Sequence, residues 1–75
     1  MEKKHILEAV KLMADDGTEM AIVSLARGRR AVTFNPQTDS VWIMGDEEPG
    51  DAGTLVIEGA LTYFIPCPDV VMICS

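Results

Sequence analysis

The sequence predicts an α+β domain, with one N-terminal helix packed on a small antiparallel sheet of four to five strands. Three observations carry that expectation. Apolar residues at three- and four-residue spacing are confined to Glu2–Ala14, the mark of an amphipathic helix. Most later apolar runs stop at glycine, proline, asparagine or aspartate, as strands between turns do. The longest run, Thr54–Cys74, is broken by Gly59, Pro66 and Pro68, so it reads as several strands and not as one helix. At 75 residues the chain forms a single domain, residues 1–75.

In Glu2–Ala14 the apolar stripe is Ile6, Leu7, Val10, Met13 and Ala14, with Lys4, Glu8, Lys11 and Asp15 on the other side. Lys4–Glu8 and Glu8–Lys11 sit at pairing distance along a helix. Gly17, after Asp15 and Asp16, is a fitting stop. His5 reads as a surface or half-buried histidine. The next stretch, Thr18–Ala26, admits two readings. A second helix capped by Thr18 would make a helix-turn-helix and point to DNA. Ile22 and Val23 instead favour a strand, and an acidic chain offering only Arg27, Arg29 and Arg30 to phosphates suits DNA poorly. The strand is preferred.

Arg27–Arg30 is then a hairpin connection, with Gly28 supplying positive φ. Ala31–Asn35 is a strand, Asn35–Asp39 a turn around Pro36, and Ser40–Met44 returns as a third strand. Val41 and Ile43 alternate with Trp42 and Met44, so both faces of that strand are apolar. One face packs on the helix, and Trp42 anchors the other side, in a second layer or at an interface. Gly45–Gly53 is a loop holding Asp46, Glu47, Glu48 and Asp51 around Pro49 and Gly50. Thr54–Glu58 and Ala60–Ile65 form a strand pair or one strand bent at Gly59. Pro66–Asp69 turns, and Val70–Cys74 closes the sheet as a central strand or at a dimer edge.

Several functional classes lose support. Glu58 and Asp69 would each cost about 2.5–3.5 kcal/mol inside a membrane helix, and Pro66 and Pro68 would break it. The start of the chain lacks the uninterrupted apolar stretch of a secretory signal. Cys67 and Cys74 are the only cysteines, too few for a disulfide scaffold and, with a lone histidine, too few for a structural metal site. They read as free thiols of a cytoplasmic protein. There is no phosphate-binding glycine motif and no nucleophile elbow, and a single small sheet cannot surround a substrate unless a dimer supplies the other wall. The expectation is a protein that is not an enzyme and needs no cofactor or metal.

Charge layout gives the positive signal. The net charge is −6, and all six basic residues lie within the first thirty positions. From Ala31 to Ser75 there are seven acids and no base. A partner protein with a basic surface is the natural complement. The expected contacts are Asp46, Glu47, Glu48, Asp51 and Trp42, with Arg27, Arg29 and Arg30 as a separate loop that can hold an acidic group. In size, acidity and lack of motifs the chain resembles the small phage proteins that act against host defences, such as anti-CRISPR proteins. That likeness implies an inhibitor whose carboxylates stand where phosphates would, on a basic nucleic-acid-binding surface. The alternatives are an assembly module that self-associates through its apolar sheet and the small DNA-binding regulator. A small apolar-rich chain also needs a stabiliser beyond its own core, which makes a homodimer through the sheet the expected oligomer.

Overall fold

A computed structural model describes residues 1–45 and 50–75. Its elements are helix α1 (Lys3–Asp15) and strands β1 (Ala21–Leu25), β2 (Ala31–Phe34), β3 (Ser40–Met44), β4 (Thr54–Glu58), β5 (Thr62–Pro66) and β6 (Val70–Cys74). The class is α+β. The strands form two three-stranded antiparallel sheets, ordered β2-β1-β6 and β3-β4-β5, where one sheet of four to five strands was expected.

Helix α1 buries Ile6 fully, and Val10 and Met13 pack on the same core. Leu7 does not belong to this stripe; it is exposed. The helix ends as the sequence implies. Gly17 takes φ 76°, the Thr18 amide donates to Met13 O at 2.9 Å, and the Gly17 amide donates to Ala14 O at 3.2 Å. Those two bonds form a Schellman stop. The second helix of the DNA-binding alternative is absent. Ala21–Leu25 is the middle strand of the first sheet, with Ala21 and Val23 buried. Met20, which helical spacing would place beside Val23, is exposed.

The β1–β2 hairpin closes with the Leu25 amide on Arg30 O at 2.8 Å, around Gly28 at φ 68°. The expected return of the third strand along the second does not occur. Asn35–Asp39 folds on itself instead: Asp39 Oδ2 accepts the Asn35 amide at 2.8 Å, and Asn35 Oδ1 accepts the Gln37 amide at 2.8 Å. Gln37 Nε2 then donates to Ala14 O (2.9 Å) and Thr18 O (3.2 Å). The turn is thereby tied to the end of α1, and the chain leaves it into a second layer. Strands of four or five residues bury more apolar surface stacked as two sheets than laid side by side.

In the second sheet β4 is central, with Leu55, Val56 and Ile57 all buried. In the first, β6 pairs with β1 and lies at an edge, and its register shifts beside Leu25. Ile6, Val23, Phe34, Leu55, Ile57, Ile65, Cys67 and Val70 form the shared core, with α1 against β6 and β3. Among the described residues no helix is long and apolar enough to cross a membrane.

Candidate functional site

Cross-strand register sorts the second sheet into two faces. Val41, Ile57 and Tyr63 lie side by side, as do Ile43, Leu55 and Ile65, and all of these pack into the core. The rows between them point outward: Trp42–Val56–Phe64, Met44–Thr54–Pro66 and Ser40–Glu58–Thr62. Trp42 is 42% exposed and Phe64 63%, while Val56 between them is fully buried. Val56 stands apart from the core cluster. Its direct cross-strand neighbours are Trp42 and Phe64, at a spacing where aromatic and β-branched side chains interact. Met44, also exposed, extends this apolar surface towards the Gly45–Gly53 loop.

Acids frame the surface. Glu58 is exposed at one end of the sheet. At the other end lies Asp51, exposed, with Oδ1 accepting the Gly53 amide at 2.8 Å and its carbonyl accepting Lys3 Nζ at 3.3 Å. Asp46, Glu47 and Glu48, named from the sequence as contacts, lie outside the described residues. Trp42, named from the sequence as an anchor, is half-exposed on this outer face. Phe64 is the residue that sequence reasoning missed. Its only signal was that Tyr63-Phe64-Ile65 repeats the two-sided apolar pattern of Val41–Met44, and alternation does not say which side faces out.

The arginines sit elsewhere. Arg27 Nε lies 3.6 Å from Asp69 Oδ1, with its own side chain 89% exposed, a pair worth little in water. The Arg29 side chain lies outside what is described. Arg30 is exposed and lines a cleft of about 390 Å³ with Leu25, Val32, Tyr63, Phe64 and Ile65, between the edges of β2 and β5. The structure thus brings Arg30 beside Phe64 and leaves Arg27 beside Asp69.

The expectation that one chain has no room for a substrate needs correction, because a cleft of about 590 Å³ opens between Met1–Lys4 and Gly50–Ala52. Among the described residues its lining is Met1–Lys4, Gly50–Ala52 and Pro68, with no histidine, cysteine, serine or threonine. Among the described residues no three His, Cys, Asp or Glu side chains are grouped to hold a metal ion. Cys67 and Cys74 are free thiols, and burial pushes the Cys67 pKa up, which keeps that thiol protonated and unreactive. Compared with known proteins, the chain matches no family model, no curated protein and no solved structure.

Proposed function

We propose that the protein is a cytoplasmic, non-enzymatic binding module that inhibits or modulates a protein partner through the outer face of β3-β4-β5. The observation that supports this reading most is the exposed Trp42–Val56–Phe64 row with acids at its ends. Aromatic anchors inside a charged rim are the usual anatomy of a protein interface. The described rim carries both signs, with Glu58 and Asp51 at its ends, Arg30 beside Phe64 and Lys3 on the Asp51 carbonyl; the preference for a partner with basic residues around an apolar centre is supported by the excess of acids from Ala31 onward. A nucleic-acid-binding surface is such a partner, and occupying it would inhibit it, as the phage-type reading holds.

The test is capture from host lysate at about 50 mM and about 500 mM salt, a range over which exposed charges become screened. Baits are wild type, Trp42→Ala/Phe64→Ala, and Asp51→Asn/Glu58→Gln. The expected result is a basic protein held at low salt, lost to both variants, and displaced by added duplex DNA or RNA. A captured protein that ignores salt, both variants and nucleic acid would refute the reading.

A further inference from the structure

The cleft of about 390 Å³ lies at the seam between β2 and β5, the facing edges of the two sheets. That volume is within the roughly 300–1,000 Å³ of small-molecule sites. Among the described residues no backbone hydrogen bond joins the two strands. The walls are apolar, with Leu25, Val32, Tyr63, Phe64 and Ile65, and among the described residues Arg30 is the one charge in the lining. Its place follows from alternation. Arg30 is extended (φ −87°, ψ 158°), so the side-chain pattern of β2 continues through it. Val32 packs against the core, and Arg30, two residues earlier, shares its face. The backbone is aimed by the same rule. The Leu25 amide donates to Arg30 O and the Cys67 amide to Gly53 O, so positions 30 and 67 bond within their own sheets. Ala31 and Phe64, an odd number of residues away from them, therefore turn their amides from β1 and β4 to the cleft side.

We infer that this cleft binds a small organic monocarboxylate, its carboxylate on the Arg30 guanidinium and its apolar body against Val32, Tyr63 and Phe64. Charge complementarity selects the occupant. Arg27 lies beside Asp69, whereas Arg30 makes no ion pair among the described residues. The three bases outside α1 all lie in Arg27–Arg30, so this end of an acidic chain attracts an anion. One guanidinium balances one carboxylate and can hold it by two parallel hydrogen bonds. A phosphate carries close to two charges at about pH 7, and one of them would stand unmatched against apolar walls. The larger cleft beside Met1–Lys4 is lined by the bases Lys3 and Lys4 and the acids Glu2 and Asp51, so charge selects nothing there. The inference stands without the basic protein partner. That contact is carried by acids and read by capture; this one is carried by Arg30 and read with a small probe.

The test is a heteronuclear NMR titration of the full chain with naphthoate and, separately, with octanoate, up to about 10 mM. At least one probe should give saturable shifts at the Ala31, Val32, Phe64 and Ile65 amides and at the Arg30 Nε–H. Its dissociation constant should be about 0.1–2 mM, the range open to a ligand of that size. Which probe binds tells a planar body from an aliphatic chain. The matching neutral amide, naphthamide or octanamide, should bind about tenfold more weakly, as loss of a charged hydrogen-bond partner implies. Arg30→Gln should abolish that preference for acid over amide. Lys11→Gln, which removes an exposed base on α1, should keep it. The comparison of acid with amide on the wild type needs no variant to fold. No saturation with either probe, shifts centred on Met1–Lys4 and Ala52, equal binding of acid and amide, or a preference that survives Arg30→Gln would each overturn the inference.

Discussion

A Cβ built on Gly59 would lie 2.6 Å from Asp39 Oδ1, closer than real atoms sit. Asp39 cannot simply swing aside, because its other oxygen holds the Asn35 amide. Gly59→Ala should therefore cost about one hydrogen bond, roughly 1 kcal/mol, and the cost should vanish in an Asp39→Ala background. Urea unfolding of the two singles and the double reads the coupling; additive losses would mean that Asp39 moves freely. Cys67 gives a second handle. Burial raises its thiol pKa, with the N-terminal ammonium and Lys3 partly opposing. The folded protein therefore keeps this proton to higher pH than the unfolded chain does. Stability from the site is whole below about pH 8.5, the unfolded thiol pKa, and falls as pH rises through it. Between about pH 7.5 and about pH 10 the wild-type Tm should fall more steeply than that of Cys67→Ala. Parallel slopes would assign the loss to other groups.

Among the elements, the Asn35–Asp39 turn decides the most. A two-residue hairpin there would lay β3 beside β2; the turn that forms sends β3 into another layer. Gln37 secures it by donating to Ala14 O, which also accepts the Gly17 amide, and to Thr18 O just beyond α1. Gln37→Ala should lower the urea midpoint with an unchanged m-value, by about 1 kcal/mol in stability; an unmoved midpoint would mean that water replaces the amide. Helix and strand positions were legible in the sequence because Ile6, Val10 and Met13 keep helical spacing and glycines and prolines punctuate the rest. The partition into two sheets was not. Alternation marks a strand and its faces but is blind to which strand lies beside which, and Gln37 looks like any polar turn residue until α1 is in place.

For the molecule as a whole, the acidic balance and the exposed apolar rows act together. The proposed contact to a basic partner should therefore weaken as salt screens the acids, while its apolar row is unaffected by ionic strength. Trp42 stood out in the sequence as the lone tryptophan on a strand apolar on both sides, and it lies half-exposed. Phe64 did not stand out, since its exposure depends on β5 ending a sheet. The pairing of β1 with both β2 and β6 also sets an order in time. Strand β1 leaves the ribosome early and meets β2 at once, yet its other flank stays bare until Val70–Cys74 has been made, forty-five residues after Leu25 at the nearest register pair. Contacts so far apart in sequence form slowly. Until then Val23 and Phe34 lack part of their cover, and the nascent chain is at its most vulnerable to proteases and to aggregation.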